Sequence, residues 1–160
     1  MEHVAGYSVF NDVSARTMNF PERTQFGPTE EWFDFINGKW VDTFAAMGPY
    51  LVTVDEVPSL DDLKMQLRVN GTLHQDASTG QMIFKVAEVI EFISRWAALE
   101  PGDVIATGTP AGTGDASGVY LQAGDVVEGT IDRLGTLVNP VQVDEEALAA
   151  AGAGAAESTA

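Results

Sequence analysis

The chain contains no cysteine and only two histidines, His3 and His74, among its 160 residues. Without cysteine there can be no disulfide framework, no thiolate-ligated zinc and no thiol nucleophile. Two histidines are also too few for a site built on a cluster of histidines.

Basic residues are scarce as well. Eight Lys and Arg residues stand against 24 Asp and Glu residues, which gives a net charge of -16. Nucleic acids bind proteins through Lys and Arg that displace counterions, so this balance argues against a nucleic-acid partner. It also disfavours an anionic membrane surface. The acidic excess fits a protein from a salt-rich cell, or acidity that serves only solubility.

Long apolar runs are absent too. The longest uncharged apolar stretch, 44–54, is interrupted by Gly48 and Pro49 and is far shorter than the roughly 20 residues that span a bilayer. The N-terminus lacks the basic and apolar regions of a signal peptide. We therefore expect a cytoplasmic protein without a membrane partner.

The residues that are present suffice for one domain with a core, since 45% of them are hydrophobic. Residues 144–160 differ, because they are mainly Ala, Gly and acids, with Leu148 as the single large apolar side chain. Such a segment cannot bury enough surface to offset its ordering entropy. We predict a domain at 1–143 and a disordered tail at 144–160, with a short helix at 145–151 as the alternative.

Alternating apolar and polar residues predict several short strands. The strongest case is 63–69, where Leu, Met, Leu and Val alternate with polar side chains. The dipeptide Asn70-Gly71 follows and is typical of a tight type I′ turn, so 72–75 is predicted as the return strand of a hairpin. Further strands are predicted at 4–10, at 134–141 and, as a buried strand, at 50–54.

Two related segments, LEPGDVI at 99–105 and LQAGDVV at 121–127, each place a Gly-Asp turn before β-branched residues, as at the start of a strand. Apolar residues three to four positions apart from Val86 to Ala97 predict one amphipathic helix, which ends before Pro101. Segment 20–31 is predicted as a loop or lid-like insertion. The fold class is therefore mainly β, a roll or barrel of short strands with one or two helices.

Three stretches could carry chemistry, although none is decisive alone. Asp12 and Arg16 follow a strand at a spacing that would share a helix face, but a surface ion pair is the simpler interpretation. Lys39 and Asp42 are equally ambiguous. The Gly-rich segment 107–114 lacks the ending of a P-loop and the helix of a dinucleotide fingerprint, which excludes nucleotide binding. Its glycines would still let backbone amides approach an anion.

Taken in order, five segments resemble the fumarylacetoacetate hydrolase family: GYSVFNDVSAR, NGKWVDTFAAMGPYLVT, LRVNGTLHQDASTGQMIF, LEPGDVIATGTPAGTG and LQAGDVVEGTIDRLGTLVNPV. The resemblance runs from about Val4 to Val141. It implies the family's β-rich fumarylacetoacetase C-terminal-like fold and a homodimer. It also implies a metal-dependent enzyme that hydrolyses, hydrates, decarboxylates or isomerises a 2-oxo acid, such as an acylpyruvate or an oxo-dienedioate.

For the metal, the resemblance implies Mg²⁺ or Mn²⁺ held by carboxylates, with Asp12 as one ligand. Lys39 would be a catalytic residue beside the metal and the substrate, with Asp42 or Thr43 near it. A hard cation with oxygen ligands would chelate the 2-oxo carboxylate and stabilise an enolate. The charge of Lys39 would add to that stabilisation.

For the substrate, the resemblance implies three contacts. Arg16 would grip the carboxylate in a bidentate way that Lys could not reproduce. Thr109 would bind the carboxylate or the oxo oxygen. Asn19 stands where many family members have Gln, so its reach toward the substrate would be shorter.

The resemblance also implies metal ligands that are missing here. Full-length members carry a Glu-x-Glu pair, and the hydrolases a His-Glu pair, before the strand that leads to Asp12. One carboxylate is a poor Mg²⁺ site unless substrate and water supply the other oxygens. We therefore expect a truncated member that is weakly active at best on its own. The alternative is a non-catalytic binding or assembly fragment that retains the fold.

Overall fold

The computed structural model describes residues 1–18 and 23–145. Within these ranges six strands form two antiparallel sheets. The first sheet pairs β1 (Gly6–Asp12) with β2 (Ala45–Thr53). The second has the order β4-β3-β5-β6 and consists of β3 (Lys64–Val69), β4 (Thr72–Ser78), β5 (Val126–Ile131) and β6 (Gly135–Pro140). The expected mainly β class is confirmed.

The helices are short. They are α1 (Pro28–Asn37), α2 (Val86–Ser94) and α3 (Gly114–Ser117), with a 3₁₀ turn at Thr79–Gln81. In the described part of the chain, no helix is long and apolar enough to cross a membrane. The amphipathic helix predicted from residue 86 onward is confirmed as α2, although α2 ends at Ser94, several residues before Pro101.

The core lies where the first sheet packs across β5 and β6 of the second. Its buried residues are Val9, Val57, Leu63 and Leu134. Half-buried side chains surround them, and these are Tyr7, Val52, Leu60, Ile131 and Leu137. The apolar face of α2 adds no buried side chain to this core.

The predicted hairpin is confirmed between β3 and β4. Asn70 and Gly71 have φ angles of 51° and 77°, the positive values that a type I′ turn requires at both central positions. The Asn70 side chain also holds the neighbouring strand, because its Oδ1 accepts from the Val126 amide at 2.9 Å.

Some local predictions were wrong. The strand predicted at 50–54 belongs to the longer β2, and Tyr50 and Leu51 within it are 68% and 60% exposed rather than buried. The loop predicted at 20–31 overlaps the first turn of α1, which begins at Pro28. Proline is tolerated there because the first helical amides have no partner within the helix. The segment 146–160 of the predicted tail lies outside the described residues.

Candidate functional site

Asp12 stands at the end of β1, where it pairs with Ala45 of β2. The ladder continues for one more bond, since the Val13 amide donates to the Phe44 carbonyl at 3.0 Å. The chain that leaves β1 is therefore held beside the chain that enters β2. This arrangement brings the region after α1 close to Asp12.

Lys39 follows Gly38, the C-cap residue of α1, and this glycine fixes its place. The Gly38 amide caps the helix by donating to the Asp34 carbonyl at 2.8 Å, and the Gly38 carbonyl accepts from the Ala15 amide at 3.0 Å. A Cβ on Gly38 would lie 1.8 Å from the Ala15 carbonyl oxygen. Only glycine therefore allows the segment after β1 to approach the end of α1 this closely.

Asp12 and Lys39 form an ion pair across this contact. Lys39 Nζ lies 2.5 Å from Asp12 Oδ2, and it also donates to Ser14 Oγ at 3.0 Å. The two side chains are 46% and 32% exposed, respectively. The pair is thus ordered but open to solvent, so a small polar ligand could reach it.

Arg16 joins the same cluster through an aromatic ring. Its guanidinium carbon lies 5.4 Å from the centroid of Phe35, and Lys39 Nζ lies 5.5 Å from the same centroid. Both distances fit cation–π contacts. Arg16 Nη2 also lies 3.7 Å from Asp115 Oδ2, which belongs to α3. The end of the Gly-rich segment is therefore tied to the cluster through Asp115.

Thr109 is held by the scaffold. Its Oγ1 accepts from Gln75 Nε2 at 3.0 Å, and the same nitrogen donates to the Pro110 carbonyl at 2.9 Å. Gln75 is buried on β4. Gly112, with φ of 102°, packs so closely that a Cβ would lie 2.0 Å from the His74 carbonyl oxygen. In the described part of the chain, no hydrogen bond or ion pair joins Thr109 to the Asp12 cluster.

The roles of all these candidate residues stay predictions, including those of the remaining three, Asp42, Thr43 and Asn19. Asp42 and Thr43 lie between Lys39 and β2, and within the described ranges neither makes a side-chain hydrogen bond or ion pair with the cluster. Thr43 has a φ of 70°, which is uncommon for a residue with a Cβ. Asn19 lies outside the described residues.

A complete metal site is not formed by the described residues, which contain no group of three or more His, Asp or Glu side chains suited to an ion. The Asp12 carboxylate has the donor chemistry that a hard divalent cation requires, because such ions prefer carboxylate oxygens. It could therefore supply one ligand. The other ligands would have to come from substrate, water or residues beyond those that the structure describes.

The sequence interpretation missed a second, buried ion pair beside the cluster. The Asp34 side chain has no exposed surface, and its two oxygens accept from Arg23 Nη1 at 2.7 Å and Nη2 at 2.5 Å. The hydrogen bond from Arg23, followed by that from the Met18 amide, holds the pKa of Asp34 below its ordinary value. An acid inside the aromatic run WFDF at 32–35 is the one signal that could have revealed it.

The match to known proteins agrees with this geometry. The family profile described as fumarylacetoacetate (FAA) hydrolase C-terminal matches residues 1–142. The chain belongs to the fumarylacetoacetate hydrolase family. The resemblance inferred from the ordered motifs is therefore confirmed for nearly all of the domain predicted from the sequence.

Named members of the fumarylacetoacetate hydrolase family share close to half of the aligned residues with this chain. It is 45% identical over 139 residues to 2,4-didehydro-3-deoxy-L-rhamnonate hydrolase of a Sphingomonas species, covering 85% of this chain and 46% of that protein. It is 43% identical over 143 residues to the mitochondrial oxaloacetate tautomerase fahd2 of Xenopus laevis, covering 88% and 42%.

A solved structure supports the same assignment. The fumarylacetoacetate hydrolase of the psychrophile Exiguobacterium antarcticum superposes with a TM-score of 0.76 at 42% identity, covering 89% of this chain and 48% of that one. The fold class is thus confirmed by a relative as well as by the strands themselves. The chain spans about half the length of the relatives it matches.

Proposed function

We propose that this chain is part of an enzyme that acts on a 2-oxo acid through an enolate. The reaction would be hydrolysis, hydration, decarboxylation or isomerisation, because all four can pass through that intermediate. The observation that carries the proposal is the cluster of Asp12, Lys39 and Arg16 around Phe35 at one open edge of the fold. Relatives named as a hydrolase and a tautomerase support the same class of chemistry.

Within this proposal, Arg16 binds the substrate carboxylate. Its planar guanidinium can form two parallel hydrogen bonds to a carboxylate, whereas an ammonium acts as a point charge. Stacking on Phe35 limits the directions in which the guanidinium can point. The Asp115 carboxylate, at 3.7 Å, is a weak competitor that a substrate carboxylate could replace.

Lys39 stabilises negative charge as it develops on the substrate oxygen. A fixed cation at that position stabilises an enolate oxygen, which carries negative charge, more than the uncharged keto oxygen of the 2-oxo acid, which is what catalysis requires. Lys39 is held by Asp12 and Ser14 but stays partly exposed. It can therefore turn toward a ligand without leaving a buried charge unpaired.

Asp12 would hold Mg²⁺ or Mn²⁺ as one ligand, with the rest of the coordination completed from outside the described residues. When bound, such a cation supplies Lewis-acid stabilisation of an oxyanion. We propose Thr109 as a further contact for the substrate carboxylate or oxo oxygen. Asp42, Thr43 and Asn19 would act as supporting residues around the same site.

We also propose a homodimer. Several large aromatic side chains among the described residues are exposed, and they include Trp32, Trp40, Phe84 and Trp96. Surface of this kind normally lies against another polypeptide. The charge of -16 opposes self-association at low salt, so the dimer should strengthen as salt is added.

The second candidate function is a non-catalytic binding or assembly fragment. It is favoured by the lack of a carboxylate cluster among the described residues and by the same exposed apolar surface. Under this alternative the fold and the Gly-rich segment are retained without the chemistry. The cluster around Asp12 would then be a structural ion pair only.

The two candidates are separated by binding of Mg²⁺ and oxalate, which stands in for the enolate of a 2-oxo acid. Calorimetry on the 160-residue chain should detect oxalate binding that requires Mg²⁺ and weakens at least about tenfold in Asp12→Ala. The matched control is Asp76→Ala, because Asp76 faces Lys64 at 3.8 Å in an exposed pair away from the cluster.

Failure of a folded wild-type chain to bind oxalate would favour the assembly fragment. Equal weakening by Asp12→Ala and Asp76→Ala would instead contradict the assignment of Asp12 to the site. Sedimentation of the same samples gives their mass, and a mass of one chain at high salt would contradict the homodimer.

A further inference from the structure

The proposed chemistry leaves the buried acid Asp34 without a role. Among the described residues it is the only charged residue in the buried class. Burying a carboxylate is costly unless its oxygens are satisfied. Here three donors satisfy them, namely both terminal nitrogens of Arg23 and, at 3.0 Å, the backbone amide of Met18.

These donors come from both sides of segment 19–22. Met18 precedes the segment and Arg23 follows it, so one carboxylate holds the two flanks together. Asp34 itself belongs to α1. Both flanks are thereby fixed to the helix that carries Phe35 and ends just before Lys39.

The same helix fixes Arg16 from two directions. On one side of Arg16, the Ala15 amide donates to the Gly38 carbonyl at 3.0 Å. On the other side, the Met18 amide donates to Asp34. Arg16 thus occupies a short segment that is bonded at one end to Gly38, the C-cap of α1, and at the other end to Asp34 within α1; its guanidinium lies over the Phe35 ring of that helix.

We propose that Asp34 and Arg23 are positioning residues, which set where Arg16 stands relative to Lys39 and Asp12. This inference rests on the proposed function for its effect on a ligand, but its structural part can be tested without one. A site that must hold two cationic side chains and a carboxylate at fixed positions needs such support, because a small displacement of one binding group strongly weakens ligand binding.

The competing explanation is that the buried pair only stabilises the fold. The test therefore compares Arg23→Ala with Val127→Ala, which truncates a buried apolar side chain of β5 and leaves the Asp34 pair intact. Arg23→Lys is the conservative variant, since an ammonium keeps the charge but cannot bind both Asp34 oxygens in the same way. Circular dichroism confirms that each variant is folded.

The first measurement is amide hydrogen exchange on the free protein. In Arg23→Ala we expect the amides of Ala15 and Met18 to exchange at least about tenfold faster, and the amides of β3 to change by a smaller factor, because a local opening is eased in addition to any loss of global stability. In Val127→Ala all of these amides should lose protection together. If Ala15 and Met18 follow β3 in both variants, the positioning role is overturned.

The second measurement is Mg²⁺-dependent binding of oxalate. We expect affinity to fall about tenfold in Arg23→Ala, to fall less in Arg23→Lys and to change less than about twofold in Val127→Ala. An equal loss in Arg23→Ala and Val127→Ala overturns the inference. If the wild type binds no oxalate, the proposed function fails for this chain, and the exchange measurement alone decides the structural part.

Discussion

Two acid–base pairs lie against the C-terminal half of α1, and they differ mainly in burial. The side chains of Asp34 and Arg23 are 0% and 17% exposed, and the two terminal nitrogens of the guanidinium donate to the two carboxylate oxygens. Asp12 and Lys39 are 46% and 32% exposed, and a single contact of 2.5 Å joins them. The chemistry of the two pairs is similar, whereas their access to water is not.

This difference in exposure suits the two ion pairs to different roles. A buried ion cannot lose its partner without a large desolvation penalty. The inner pair, Asp34 with Arg23, is therefore suited to hold backbone segments in place. An exposed ion can exchange its partner for water or ligand at little cost. The outer pair, Asp12 with Lys39, is therefore the pair that would be able to respond to a substrate.

The largest effect on stability is expected for Asp34→Asn. The amide has nearly the same size but no charge, so Arg23 would keep a buried contact without its counter-ion. We expect a clear drop in the thermal unfolding midpoint at neutral pH, measured by circular dichroism. Asp76→Asn, which removes the charge from an exposed carboxylate, should shift the midpoint far less. Equal shifts would erase the distinction between the inner pair and a surface pair.

Acid should weaken the inner pair in a defined direction. The pKa of Asp34 is held below its ordinary value, first by the hydrogen bond from Arg23. Its contribution to stability is therefore fully present above the unfolded pKa of about 3.9, and it is lost as the pH falls through the lower folded pKa.

The wild type should thus lose more of its unfolding free energy than Asp34→Asn as the pH is lowered from about 5 to 3. Asp55 and Asp125 also have lowered pKa values, through hydrogen bonds from the Thr53 hydroxyl and the Gln122 amide. Their contributions are common to both proteins and cancel in the difference. Denaturant titrations at each pH measure the unfolding free energy of both proteins. If the wild type and Asp34→Asn lose equal amounts, the acid sensitivity belongs to the other carboxylates.

The smallest effect on stability is expected for the outer pair. Lys39→Ala should cost at most about 1 kcal/mol, the usual range for an exposed ion pair, while oxalate binding is lost. Arg95→Ala is the matched control, since Arg95 forms an exposed pair with Glu91 one turn earlier in chain order. It should leave oxalate binding unchanged. A Lys39→Ala variant that loses as much stability as Asp34→Asn would mean that the outer pair is also structural.

Sequence patterns predicted the elements whose geometry is local. Asn70-Gly71 predicts its turn because few other residue pairs adopt positive φ twice in succession. The spacing of apolar residues likewise predicts α2. Helix α1 carries local signals as well, namely Pro28 in its first turn and Glu30, whose side chain accepts from the Gly27 amide at 3.0 Å, but they were interpreted as part of a loop.

The resemblance, rather than spacing, placed Asp12 and Lys39 at one site; the structure shows their contact, and their roles stay predictions. Asp12 and Lys39 are 27 positions apart, and no local rule relates them. Their contact depends on the pairing of β1 with β2 and on the close approach that Gly38 allows. Phe35 was not foreseen as the ring contacted by both cations, because only the folded chain brings Arg16 beside α1.

The two Gly-Asp turns, at 99–105 and 121–127, show most directly what local sequence specifies and what the tertiary structure specifies. In the first, the Glu100 amide donates to Asp103 Oδ2 at 2.8 Å; in the second, the Gln122 amide donates to Asp125 Oδ2 at 2.7 Å. The central glycines both have positive φ, 104° and 93°. The same local sequence thus forms the same turn twice, as the short-range hydrogen bonds require.

The residues after the two turns have different structures. Val126 enters β5, where β3 and β6 offer backbone partners on both sides. Val104 is 58% exposed, and in the described part of the chain the residues after it pair with no strand, contrary to the prediction. Local sequence is enough to specify the turns, because their bonds lie within four residues. Whether a turn begins a strand depends on the tertiary structure, because a strand needs a neighbouring backbone to pair with.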